Sequence, residues 1–147
     1  MRRLLAVCFF LLTGACVPRD AISVDEVLKD LDSYYGQRIT VKAKFRSGAR
    51  CRQGDDGEWK TYCKDCQYCR GPVVVDSGIT PKDEEIDDWP MILGGTHEMQ
   101  DIRCKGPLNQ VECFPFTPGK TYIVRGRLEK QHPPKLLVAE FWALDES

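Results

Sequence analysis

Ile39-Thr40-Val41-Lys42-Ala43-Lys44-Phe45-Arg46 is the stretch on which the reading of this 147-residue chain turns. Ile39, Val41, Ala43 and Phe45 are apolar, and Thr40, Lys42, Lys44 and Arg46 are polar. This strict period of two predicts a β-strand with one buried and one wet face. Gly48 follows and is placed to bend or end the strand. Lys42, Lys44 and Arg46 could form a basic binding strip, but the solvated side of a strand looks the same, and that is the expectation here.

Upstream, Ser23 and Glu26 have capping-box spacing, with Asp25 and Glu26 in the first turn. Val24, Val27, Leu28, Leu31 and Tyr35 fall on one face at helical period, and Gly36 is placed to stop the helix in a left-handed conformation. A short amphipathic helix, packed by its apolar face on the rest of the domain, is therefore expected. Downstream, Pro118-Gly119-Lys120 reads as a turn into Tyr122, Val124, Gly126 and Leu128. After Gln131-His132-Pro133-Pro134 a second run extends from Leu136 to Leu144, and the two look like an antiparallel pair. The last run is apolar on both alternating sets, so it should lie centrally or be covered on one side by the helix.

Two segments share one pattern: Tyr35-Gly36-Gln37-Arg38-Ile39-Thr40-Val41-Lys42 and Pro118-Gly119-Lys120-Thr121-Tyr122-Ile123-Val124-Arg125-Gly126-Arg127-Leu128. Each reads glycine, basic or amide residue, then alternating strand, and the second carries the mid-strand glycine that a tight barrel uses for curvature. In this the chain resembles the OB-fold. The resemblance covers about 50 residues at the two ends. It implies a mainly β chain: a small OB-like five-stranded barrel preceded by a short N-terminal helix, with a Cys-rich loop insertion over about 47–117. The two missing barrel strands are expected near Glu58–Tyr62 and Pro72–Val75, within an acidic, loop-rich stretch.

The N-terminus has a different character. Arg2 and Arg3 precede an apolar run from Leu4 to Leu12, followed by Thr13, Gly14 and Ala15, the three-part pattern of an export signal peptide. The run is well short of the ~20 apolar residues needed to cross a bilayer as a helix, so a cleaved leader is expected. Leu11-Leu12-Thr13-Gly14-Ala15-Cys16 resembles the lipobox of bacterial lipoproteins, which implies cleavage after residue 15 and a diacyl or triacyl anchor of palmitate-type chains at Cys16. Thr13 stands where that family more often has leucine. Thr13-Gly14-Ala15 also satisfies the small-x-small rule of ordinary secretion, which would leave Cys16 as a thiol.

Cysteine parity separates the two. Cleavage discards Cys8; with Cys16 acylated, Cys51, Cys63, Cys66, Cys69, Cys104 and Cys113 remain, an even set that can pair fully. With Cys16 free, one of seven would be left over in an oxidising compartment. The expected organisation is thus a signal peptide at 1–15, a lipid-anchored tether at 16–22, and one domain at 23–147 that includes the insertion. Removing Arg2 and Arg3 takes Lys plus Arg from 21 to 19 against 22 acids, a balance of −3. That argues against nucleic acid as a partner, because such modules show a clear basic surplus.

Cys63-Lys64-Asp65-Cys66-Gln67-Tyr68-Cys69 admits three readings. In an oxidising envelope, disulfides are expected. Since three is odd, full pairing must join at least one of Cys63, Cys66 and Cys69 to Cys51, Cys104 or Cys113, and each closed loop would stabilise by ~2 to 4 kcal/mol. The alternative is a zinc site built on Cys63, Cys66 and Cys69 with Cys51 or Cys104, but a second separated C-x2-C knuckle is missing. A thiol-redox role would want a thioredoxin-like βαβ setting, which the pattern does not suggest. An iron–sulfur run would want cysteine where Val73 stands.

Other candidates favour the plainer reading. Lys82-Asp83-Glu84-Glu85-Ile86-Asp87-Asp88 concentrates carboxylates without the alternation of a calcium loop. His97 and His132 stand beside turn residues rather than with a nucleophile. Met91, His97 and Met99 could be drawn as copper ligands, but methionine more often fills core gaps. Trp59, Trp89 and Trp142 read as core or lid aromatics. The expectation is a non-enzymatic module with no catalytic residues, metal or cofactor. It would meet the membrane through its anchor, and an envelope protein or small ligand as partner. In a host with two membranes the lipoprotein resemblance implies the outer membrane, facing the periplasm, because Val17 stands where some families carry an aspartate that retains them in the inner membrane.

Overall fold

A computed structural model describes residues 17–52, 59–60, 68–76, 89–96, 102–107 and 110–144, with backbone alone for 51–52 and 59–60. The alternating stretch forms strand β2 (Arg38–Ser47), and Ile39, Val41, Ala43 and Phe45 are buried along it while Lys42 and Lys44 face water. Before it come β1 (Ile22–Ser23) and helices α1 (Val24–Lys29) and α2 (Leu31–Tyr34). After it come β3 (Arg50–Arg52), β4 (Trp59–Lys60), β5 (Tyr68–Gly71), β6 (Val73–Asp76), β7 (Ile92–Gly95), β8 (Arg103–Gly106), β9 (Glu112–Phe114), β10 (Thr121–Glu129) and β11 (Lys135–Ala143).

The helical segment starts as its capping box requires. Ser23 Oγ accepts from the backbone N–H of Glu26 at 3.2 Å. Val24 and Val27 enter the core, while Leu28, Leu31, Tyr34 and Tyr35 pack partly buried beside them. The single helix of the sequence reading is in fact two, broken at Asp30 (φ −142°, ψ 55°). Aspartate competes locally for hydrogen bonds, and here its carboxylate accepts from the Ser33 hydroxyl at 2.6 Å, restarting the turn. Gly36 adopts φ +78° and donates its N–H to the carbonyl of Leu128 at 2.7 Å, which ties the helical segment to β10.

Strands β2, β6, β7, β11 and β10 close into a ring. In chain order the five run 1-2-3-5-4 and back to 1, antiparallel except for the β7–β11 pair, which is the Greek-key closure of an OB-like barrel. Strand β2 is long enough to serve two neighbours: Lys44 pairs with Thr121 on one side and Asp76 on the other. A bulge lies between Arg125 and Gly126, and a side chain at Gly126 would collide with the Leu137 carbonyl, so the mid-strand glycine sits where two backbones close on each other. Strand β11 lies between β10 and β7. Phe45, Phe116 and Tyr122 pack with ring centroids 4.8 to 5.5 Å apart, and Phe141 packs against Phe116 at 4.9 Å with its ring tilted by 59°.

Of the two expected middle strands, the one near Pro72–Val75 is β6. The one near Glu58–Tyr62 is not a barrel strand: β4 is two residues long and pairs with β3, and β7 supplies the barrel's third strand instead. The Cys-rich insertion carries a second sheet of its own, ordered β4-β3-β5-β8-β9.

This second sheet grows out of the barrel. Ser47 pairs with Val73 in the barrel and Arg50 with Arg70 in the second sheet, so β2–β3 and β5–β6 are two arms of one antiparallel ribbon that keeps a single register across both. Pro72 has no N–H to give to a ladder, so regular pairing lapses at the crossing. There the N–H of Gly48 donates to the Pro72 carbonyl at 3.0 Å, and a side chain on Gly71 would strike the backbone of Gly48.

Alternation along the strands gives the second sheet two unlike faces. Cys69 and Cys104 are buried on the inner face, and Cys104 is bonded to its register partner Cys113. Tyr68, Arg70, Arg103, Lys105, Glu112 and Phe114 share the outer face, and all six are exposed.

Candidate functional site

The site forms at the crossing of barrel and second sheet. With glycine at 48 and 71, neither position puts a side chain into the angle where the ribbon leaves the barrel, and a Cβ at Gly48 would crowd Val74 and Trp89. A cavity of about 560 Å³ opens there. That is within the roughly 300–1,000 Å³ range of small-ligand sites. Its walls include Pro72, Trp89 and Ile92, and Arg50, Arg70 and Arg103 stand around it. Trp89 is buried, with 7% of its surface exposed, and the Arg50 guanidinium carbon lies 5.6 Å from its ring centroid.

The three arginines come from three strands. Arg50 and Arg70 are register partners on β3 and β5, and Arg103 opens β8, which pairs with β5. Arg70 and Arg103 make further interactions of their own. Arg50 differs: its Nε is buried and, among the described residues, has no hydrogen-bond partner. A buried donor left without an acceptor costs about 1 to 3 kcal/mol. The surroundings are otherwise apolar, so an anionic group on an apolar body would satisfy the guanidinium and cover the Trp89 ring together.

In an OB-like barrel the second and third strands and the loop between the first and second are the usual ligand surface. The cavity lies there, between the first-to-second connection that holds β3 and β5 and the start of β7.

Other candidates fall elsewhere. Met91 is fully buried in the core, and His132 is exposed on the β10–β11 connection. On the wet side of the barrel, Arg125 donates to Thr40 Oγ1 at 3.1 Å and to Glu140 at 3.0 Å, and its guanidinium lies 5.4 Å from the Trp142 ring centroid. Among the described residues no group of three or more His, Cys, Asp or Glu side chains could hold a metal ion, and no helix is long and apolar enough to cross a membrane.

Of the cysteines, Cys104 and Cys113 form one disulfide, and Cys69 is disulfide-bonded as well. Cys16, Cys63, Cys66, His97, Met99 and the acidic run at 82–88 lie outside the described residues, as do the side chains of Cys51 and Trp59. No motif in the sequence marks Arg50, Arg70 and Arg103 as cavity residues, while Trp89 is buried, as a core aromatic is expected to be, and walls the cavity as well. A signal existed in the string: Arg70 directly precedes Gly71-Pro72, and Gly48 stands two residues before Arg50. Their convergence required knowing the register. The chain matches no known protein family, no curated protein and no solved structure.

Proposed function

We propose that this chain is a non-enzymatic binding module of the bacterial cell envelope, exported, anchored by lipid at Cys16, and built to take an anionic ligand with an apolar body in the Trp89 cavity. The observation that carries the ligand class is the buried, unpartnered Nε of Arg50 beside the apolar wall of Trp89. Export is supported by the leader at 1–15 and by the bonded state of Cys69, Cys104 and Cys113, since disulfides persist in oxidising compartments. The same bonds leave these three cysteines unable to ligate zinc or act as free thiols, which favours the disulfide reading of the cluster. In a host with two membranes the module faces the periplasm from the outer membrane.

The test is a titration with anilinonaphthalene sulfonate, an anion on an apolar aromatic body, and with its uncharged parent amine. Saturable binding of the sulfonate that weakens about tenfold in Arg50→Met, as expected for loss of one charge-assisted hydrogen bond, supports the assignment. Equal binding of the charged and uncharged dyes, or of the dye by the parent and Arg50→Met chains, would show that the cavity does not select an anion.

A further inference from the structure

Among the described residues only Val17, Tyr68 and Phe114 are large hydrophobic side chains left exposed, and two of these stand on the outer face of the second sheet, at 47% and 62% exposure. Register places them. Phe114 pairs with Arg103 on β8, and Tyr68 lies one residue beyond the Cys69–Gly106 pair. Two interstrand steps of about 4.8 Å and four residues of about 3.3 Å put their Cα atoms roughly 16 Å apart, at diagonal corners of the face. Arg70, Lys105 and Arg103 lie between them, all exposed, with Glu112 the one acid among the six outer-face residues. A shallow hollow of about 360 Å³ runs beside Lys105 and Phe114.

We propose that this outer face is a docking surface for an anionic lipid bilayer, with Tyr68 and Phe114 entering the headgroup region and Arg70, Arg103 and Lys105 meeting lipid phosphates. Aromatic side chains flanking cations form the pattern that settles at a bilayer interface, where apolar area and attraction to anionic lipid add. A soluble polyanion is the poorer fit, because it would leave the exposed rings of Tyr68 and Phe114 uncovered, whereas a bilayer interface takes up apolar area and cations together. The proposal rests on the envelope reading for the nearness of a membrane. An anchor at Cys16 would stand six residues before Ile22, a tether of at most roughly 20 Å, which keeps the domain on the bilayer surface.

The experiment uses the mature chain, residues 16–147 with Cys16→Ser, so that neither the cationic, apolar leader nor an acyl group contributes to vesicle binding. Flotation compares phosphatidylcholine vesicles with vesicles also containing phosphatidylglycerol, at low and high salt. The expected result is a salt-sensitive preference for the anionic vesicles. Lys105→Glu should lower it roughly 25-fold, since each unit of charge near a charged surface counts for about a fivefold change in partition and the swap changes the charge by two. Phe114→Ser should lower it without changing the salt dependence. Both positions are exposed, so unchanged melting temperatures will show that the variants fold. Equal flotation with both vesicle types overturns the proposal, as does parent-like binding by the two variants, or capture by dextran sulfate with none by vesicles. Failure of the envelope reading would be seen separately, as unprocessed native protein outside the membrane fraction.

Discussion

Arg50 is the residue whose chemistry is least settled by the fold around it, since a guanidinium Nε is buried at the Trp89 wall with no acceptor. Relieving that costs little: Arg50→Met keeps an unbranched stem near the ring and forfeits a cation–π contact of about 0.5 to 1 kcal/mol. The unsatisfied donor it removes is worth about 1 to 3 kcal/mol, so the unliganded protein should melt a few degrees higher, by roughly 2 to 6 °C. A lower melting temperature would mean that the guanidinium is held by the protein itself. Gly71 should behave in the opposite way. Its Cβ would strike the Gly48 backbone, which cannot rotate aside, so Gly71→Ala is expected to cost about 1 to 3 kcal/mol, read as a lower urea midpoint. At this scale the chain was partly legible. Gly36 and Gly126 announce their places because each interrupts a periodic run, whereas nothing local distinguishes Trp89 as a cavity wall from Trp89 as core.

Elements were legible in proportion to their length. Strands β2, β10 and β11 each run nine or ten residues, long enough for alternation to be counted, and the capping box fixed where α1 begins. Strand β7 escaped because Ile92-Leu93-Gly94-Gly95 offers no alternation, only a short apolar pair and two glycines. The second sheet escaped because its strands run two to four residues, too short to carry a period; its evidence lies in pairing, which a string does not display. Disulfides supply what such short strands lack. Cys104 and Cys113 are nine residues apart across the β8–β9 pair, and closing a loop of that size stabilises by ~3 kcal/mol. The double variant Cys104→Ala, Cys113→Ala should lose about that much by denaturant unfolding, and a loss below ~1 kcal/mol would show that the sheet is held by its backbone pairing instead. With that bridge closed, full pairing leaves Cys51 to join one of Cys63, Cys66 and Cys69. The backbone register sets Cys51 opposite Cys69, as it sets Cys104 opposite Cys113. Peptide mapping without reduction is therefore expected to find Cys51 linked to Cys69, and a Cys51–Cys63 or Cys51–Cys66 peptide would break that parallel.

At the scale of the molecule, one ribbon builds both halves: its first part closes the barrel and its second founds the sheet that walls the cavity. The barrel could be inferred from the two ends of the chain, since its longest strands lie there. The cavity could not, because Arg50, Arg70 and Arg103 converge only after loops from two different connections have paired through β5 and β8. The disulfides presuppose an oxidising compartment, and the proposed leader at 1–15 would carry the chain to one. Intact mass of the native protein extracted from membranes, before and after reduction, tests that premise most directly. The expected species starts at residue 16, carries added acyl mass there, and gains about 6 Da when its three bridges are reduced. A full-length, unacylated chain of unchanged mass on reduction would contradict it.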